Sequence, residues 1–242
     1  MHPFSKSLTI FCFIVPSLSY ASLSLDRTRV IYNEQDKAIS LNISNSSEKL
    51  PYLAQAWLEN DQGQKIDQPF AVTPPIQRIE PKQPSQIKLE KLKNVQLPQD
   101  RESVYYFNFR AIPPKSDKPN VMQLSIQTKI KVFYRPKALY VDGTAINNHP
   151  WQQQLILKQT NQGLIASNPT PYYITIIGIS EDKNTEAFEG FKSFMVAPFS
   201  DLSLNINQQK IGKTPFLTYL DDYGGKQKMR FNCSNQSCSI QK

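Results

Sequence analysis

Residues 122–136 read MQLSIQTKIKVFYRP, and the alternation in this stretch decides the fold class. Met122, Leu124 and Ile126 fall on one side of an extended chain and Gln123, Ser125 and Gln127 on the other, which is the period of a β-strand. The run passes through Lys129 and Lys131 and leaves by Tyr134-Arg135-Pro136. A sandwich strand with its apolar side in the core gives the same pattern. Alternation alone therefore leaves open whether this strand completes its own domain or receives another protein.

Outward from this stretch the chain repeats the pattern in short pieces. Ile39, Leu41 and Ile43 alternate with Ser40, Asn42 and Ser44; residues 51–58 form the next segment, and Asn60-Asp61-Gln62-Gly63 reads as the turn after it. Ile87 and Leu89 mark a further strand. Residues 102–112 are rich in Tyr and Phe, which suit a pleated surface, and Pro113-Pro114 stops them. Seven such segments between Ser22 and Arg135 predict an immunoglobulin-like sandwich, with Trp57 where such a sandwich often buries a tryptophan. No cysteine lies between Ser22 and Tyr134 to bridge its sheets, so packing alone must hold it.

Residues 136–143 read as a connection, which sets a boundary near Leu139. Beyond it, residues 151–158, 164–167, 172–179, 191–196, 202–206 and 231–240 give about six more strand candidates. Sustained 3.6-residue periodicity is nearly absent. The chain is read as all-β, with two domains at residues 22–139 and 140–242.

The first 21 residues carry the parts of a secretory signal: Lys6, an apolar run from Leu8 to Val15, then Ser19 and Ala21 spaced for cleavage. That run is too short for a spanning helix, which needs about 20 apolar residues, so membrane insertion is not expected. Cleavage removes Cys12 and leaves Cys233 and Cys238, an even pair expected to be bridged in an exported protein. Four residues separate them, so the closed loop is small and its chain-entropy effect is roughly 2 kcal/mol. The formal charge of +8 falls by one with Lys6. In an exported chain this basic balance reads as solvated surface plus a site for a carboxylate, and nucleic acid is not an expected partner.

Chemistry is poorly supplied. Gly212-Lys213-Thr214 copies the end of a phosphate-binding loop, but Asn207 stands where its first glycine belongs and Pro215 follows at once. Once the leader is removed, His149 is the only histidine. It sits between Asn148 and Pro150 without a serine motif for a triad, and with two bridged cysteines it cannot complete a zinc set. No cofactor and no enzymatic activity are expected.

Several strings, in order along both domains, carry a resemblance: SLDRTRVIY at 24–32, PYLAQAW at 51–57, TPPIQRIEP at 73–81, LPQDRES at 97–103, QTKIKVFYRP at 127–136, NPTPYY at 168–173 and DYGG at 222–225. The chain resembles the periplasmic pilus chaperones of the PapD type. The resemblance implies two immunoglobulin-like domains set at an angle around a cleft. It also implies an ATP-independent periplasmic chaperone that lends a strand to pilus subunits, prevents their aggregation and passes them to an outer-membrane usher.

By the same resemblance, Met122, Leu124 and Ile126 fill the subunit's groove, and Arg29 and Lys131 anchor its terminal carboxylate by charge-assisted hydrogen bonds. Glu102, Arg135 and Asp222 form an interdomain charged cluster. The short connection at 112–120 resembles the subgroup that serves rod-like pili. An exposed apolar edge also favours self-association of the chain when alone.

One matter of parity stays open. In an uninterrupted strand Lys131 faces away from Met122, Leu124 and Ile126, so either a bulge intervenes or lending and anchoring use different faces. The competing function is an exported structural or adhesive fibre component. Such a subunit has no reason to keep paired Arg29 and Lys131 in a cleft, and it should carry an N-terminal extension where Ser22 runs almost directly into the first strand. An exported enzyme is the third class.

Overall fold

A computed structural model describes residues 23–143, 148–161, 163–206, 211–234 and 237–241. The secretory segment read at residues 1–21, together with Ser22 and Asn207, lies outside them. The first sandwich is built from β1 (Leu23–Leu25), β2 (Arg29–Asn33), β3 (Ile39–Asn45), β4 (Tyr52–Glu59), β5 (Lys65–Ile66), β6 (Phe70–Thr73), β7 (Ile76–Ile79), β8 (Pro84–Lys91), β9 (Ser103–Ile112) and β10 (Ile126–Arg135). One sheet runs β1-β3-β8-β6 and the other β2-β10-β9-β4-β5, with β7 also on β4. All pairs are antiparallel except β10 with β2, which run parallel.

The core follows from alternation. Leu41 and Ile43, Ala54, Ala56 and Leu58, Ile87 and Leu89, Phe107 and Phe109, and Ile130, Val132 and Tyr134 are buried together. Trp57 is not among them, contrary to the sequence reading. The core face of β4 is taken by Ala54, Ala56 and Leu58, so odd-numbered Trp57 lies on the opposite face. There it is half-buried and its indole Nε1 donates to Glu59 Oε1 at 2.8 Å.

The alternating stretch at 122–136 is also not one strand: β10 begins only at Ile126. Its ladder partner explains this. Ile126 is level with Ala111 on β9, and the next residues beyond β9 are Pro113 and Pro114, which have no N–H to donate. Residues 121–125 therefore continue past the sheet without a ladder.

The second domain comprises β11 (Ile156–Thr160), β12 (Gly163–Asn168), β13 (Ile174–Ser180), β14 (Phe194–Val196), β15 (Ser200–Leu204), β16 (Phe216–Leu220), β17 (Lys226–Ser234) and β18 (Ser237–Ile240). Its strand path is β14-β13-β16-β17-β18-β11-β12-β15. β17 is shared: Lys226 to Arg230 pair with β16, and Phe231 to Ser234 pair with β18. The segment at 231–240, expected as one strand, is thus a hairpin, with Cys233 opposite Cys238 and a disulfide between them. Leu157, Leu164, Ile174, Ile176, Ile179, Val196, Leu217 and Phe231 form a core separate from the first.

Gly212-Lys213-Thr214 lies in the connection before β16; the Lys213 carbonyl accepts from Cys233 N at 2.7 Å, and a strand rather than a helix follows. His149 is exposed, and no group of three potential metal ligands occurs among the described residues.

Candidate functional site

β2, near the start of the N-terminal domain, and β10, its last strand, meet side by side, and this places the two anchoring candidates together. Arg29 on β2 is level with Lys131 on β10 in the parallel ladder. In β2, Val30 and Tyr32 turn into the core, so Arg29, Ile31 and Asn33 face the other way, into a cleft of about 430 Å³. Arg135, Tyr140, Asp222 and Tyr223 also line it, so both domains contribute.

The two cations are poorly compensated. Burial pushes the Lys131 ammonium down to about 8, and the adjacent Arg29 charge pushes it the same way. Burial likewise lowers Arg29, although Asp222 and Asp221 partly offset this. Arg29 Nε is buried with no hydrogen-bond partner among the described residues. A pair of half-buried cations with unused donors is suited to an anion that brings two acceptor oxygens.

The parity question is answered by the register. The β9–β10 ladder runs without a shift from Ile126 opposite Ala111 to Tyr134 opposite Ser103, so no bulge separates Ile126 from Lys131. Ile126 shares its side with Ile130, Val132 and Tyr134, which enter the core, while Lys129, Lys131, Phe133 and Arg135 occupy the other side. The core face of β10 therefore runs out of its own domain at Ile126. Beyond that point Met122 is 84% exposed, Leu124 71% and Ile126 52%, an apolar edge bordering a groove that Leu50, Tyr52 and Pro114 also line. Such exposure of consecutive alternating side chains is costly in water and marks an interaction surface.

Gln123, on the intervening side, donates through Nε2 to the Pro114 carbonyl and accepts from Ser116 N, while Ser125 Oγ donates to the Ala111 carbonyl at 2.9 Å. These bonds tie the edge to the end of β9 and its loop.

The charged cluster joins the domains. Arg135 and Glu102 are each about 2% exposed at the side chain. Arg135 donates to Glu102 Oε1 from Nε (2.9 Å) and Nη2 (2.7 Å), and to Asp222 Oδ2 from Nη1 (2.8 Å). Burial raises the Glu102 carboxyl to about 7 while Arg135 and the Tyr173 N–H pull it back. Burial works against the Arg135 charge, yet the two carboxylates more than offset this and hold the guanidinium above its ordinary range.

Sequence reasoning did not place the partners around this cluster. Tyr173 N donates to Glu102 Oε2 at 2.8 Å, and the guanidinium lies 5.0 Å from the Trp151 ring centroid and 5.2 Å from that of Tyr172. The NPTPYY string positions them: buried Asn168 donates to the carbonyls of Tyr172 and Ala197. Asp222 sits in the β16–β17 turn, where Gly224 has φ of +84° and approaches Thr28 so closely that a Cβ would meet its Oγ1 at 2.5 Å. A side chain there would be strained at that φ and would force Thr28 or the turn to shift.

Residues 22–140 match the family model described as pili and flagellar-assembly chaperone, PapD N-terminal domain, and residues 150–231 that of the pili assembly chaperone PapD, C-terminal domain. The chain belongs to the PapD family of pili assembly chaperones. It is 44% identical over 225 residues to the chaperone protein PapD of Escherichia coli, covering 92% of this chain and 91% of that one. It is 43% identical over 221 residues to the probable fimbrial chaperone YfcS of Escherichia coli (strain K12), covering 91% and 86%.

Among solved structures, the periplasmic chaperone SfaE matches with a TM-score of 0.68 at 31% identity, covering 86% of this chain and 98% of that one. The SafB chaperone in complex with the Salmonella enterica SafA pilin matches with a TM-score of 0.72 at 26% identity, covering 89% and 98%.

Proposed function

We propose that this periplasmic chaperone binds fimbrial subunits by donor-strand complementation, extending its 121–126 edge into the subunit's groove while Arg29 and Lys131 hold the subunit's terminal carboxylate. The observation that carries this reading is that the chain leading from the exposed apolar edge into β10 reaches Lys131, which lies level with Arg29 of β2 as a poorly compensated cation pair. Met122, Leu124 and Ile126 are the groove-filling residues. Main-chain hydrogen bonds supply sequence-tolerant pairing, and each large side chain that becomes fully buried contributes roughly 1.5 to 3 kcal/mol before the costs of association.

Capping keeps the subunit's unpaired groove from aggregating, and delivery to an outer-membrane usher follows from the family role. The chain acts without cofactor, ATP or covalent chemistry. Residues 1–21 serve as a cleaved secretory signal, and the working domains are 22–139 and 140–242. Glu102, Arg135 and Asp222 fix the angle between them and hence the shape of the cleft.

Co-purification of fimbrial subunits with the tagged chain tests this. Subunits should accompany the unaltered chain and be lost from folded Arg29→Ala and Lys131→Ala variants. Equal recovery with both variants would refute the anchoring role, and recovery of none with the unaltered chain would refute subunit binding.

A further inference from the structure

The outer face of the β2-β10-β9-β4 sheet carries a second lysine whose charge is taken up locally. Arg29, Lys131, Tyr106 and Glu59 lie on one rung across these four strands. Glu59 does not compensate its rung-mate Lys131. It reaches instead to Lys129, whose Nζ lies 2.6 Å from Glu59 Oε2. The carboxylate is only 13% exposed and is fixed from the other side by the Trp57 indole N–H at 2.8 Å. The Lys129 ammonium is further held 4.7 Å from the centroid of the Tyr106 ring.

Lys129 is on the same face as Lys131, two residues along the strand, or about 6.8 Å away. It is also nearer the apolar edge. Left uncompensated, it would offer an incoming carboxylate a second cation displaced by one side-chain repeat. A strand that pairs through its main chain slips by two residues without reversing its faces, so main-chain pairing alone does not exclude that register. The next cation outward on this face, Arg110, is level with Gln127, donates to its Oε1 at 3.1 Å, and lies 5.1 Å from the centroid of the Trp57 ring.

We infer that Glu59, held by Trp57, is a register-setting residue: by neutralising Lys129 it confines the subunit's carboxylate to Arg29 and Lys131, and so fixes which subunit residues meet Met122, Leu124 and Ile126. This rests on the anchoring role proposed above.

The test uses the full chain and a fluorescent 14-residue peptide of alternating valine and threonine, with a free carboxylate or a C-terminal amide, and reads both affinity and register. Register is read by disulfide trapping between a cysteine introduced at exposed Thr128, which leaves the Arg110–Gln127 bond in place, and cysteines scanned along the peptide. Glu59→Gln is close in shape and keeps an oxygen for the Trp57 indole; thermal melts check folding.

Lys131→Ala should weaken carboxylate-peptide binding at least tenfold. Adding Glu59→Gln should restore threefold or more, with the trapped position shifted by two residues, and adding Lys129→Gln should abolish the restoration. The amide should show no restoration. No recovery with Glu59→Gln, or recovery in the original register, overturns the inference while leaving the anchor intact. If Lys131→Ala binds normally, the anchoring reading fails and the register role fails with it.

Discussion

Raising the pH should weaken subunit binding while it stabilises the free chaperone, and both effects trace to Lys131. Burial, reinforced by neighbouring Arg29, pushes this ammonium down to about 8 in the free chain. A bound carboxylate favours the charged form and raises that value. The carboxylate-dependent part of affinity is therefore fully present below about 8 and is lost as the pH rises through it toward the bound-state value. If only the charged form anchors, the apparent Kd rises by about 1.1-fold at pH 7, twofold at pH 8 and elevenfold at pH 9.

Stability has the opposite sign. The unfolded chain holds this proton up to the ordinary lysine value of 10.5, so between about 8 and 10.5 it binds more protons than the folded chain, and folding is favoured as the pH rises. Titration calorimetry with a carboxylate-terminated subunit peptide across pH 6.5–9.5 reads the first effect, and thermal melts of the free chain over the same range read the second. Lys131→Arg, which does not titrate in this range, is the control. A Kd that rises equally in the unaltered chain and in Lys131→Arg, or that stays flat in both, would refute the assignment of the proton to Lys131.

Leu124→Ser should weaken subunit binding by roughly 1.5 to 3 kcal/mol, a ten- to hundredfold loss, with the melting temperature of the free chain unchanged, because Leu124 is 71% exposed before binding. Arg135→Met should destabilise the chain by about 3 to 5 kcal/mol in denaturant titrations, since it leaves the buried Glu102 carboxylate uncompensated. Asp222→Asn should cost clearly less, because Arg135 keeps both bonds to Glu102. Replacing Cys233 and Cys238 together by alanine should lower stability by about 2 kcal/mol, read as an earlier unfolding transition of the C-terminal domain.

The sequence was most legible where one face of a strand is apolar and the other polar. β3 is of this kind, and its buried residues are those that alternation selects; β10 follows it through Ile130, Val132 and Tyr134, but buries Phe133 and Arg135 on the other side at the domain junction. β4 is different: Leu53 and Trp57 on one side and Ala54, Ala56 and Leu58 on the other leave both faces apolar, and size alone points Trp57 inward. The structure inverts this: Ala54, Ala56 and Leu58 share the core face with their rung-mates Ala111, Phe109 and Phe107 on β9. The start of β10 was hidden for another reason. Residues 122–126 alternate as well as 126–130, but Pro113 and Pro114 end the partner strand, so only the latter half finds a ladder. The β17–β18 hairpin reads as one run because alternation persists on both sides of its turn. Glu59 was out of reach: its rung joins four strands that are scattered over more than a hundred positions of sequence.

The register of β10 ties these observations together. With no bulge, its even positions run from the edge residue Ile126 through the core residues Ile130, Val132 and Tyr134, and its odd positions run from Lys129 through Lys131 to Phe133 and Arg135 at the domain junction. β10 and the residues leading into it thus carry the exposed apolar edge, part of the core, Lys131 and the interdomain contact, divided by parity and by distance along the chain. Inserting one residue between Ile126 and Ile130 would put the edge on the cation face while leaving every residue type in place. The chain would keep its core and its charged cluster, because Ile130 to Arg135 retain their rungs, yet it should lose subunit binding as completely as a charge placed at Leu124. A one-residue insertion after Thr128, folded but inactive in the co-purification assay, is therefore the sharpest check that the two faces must keep their phase.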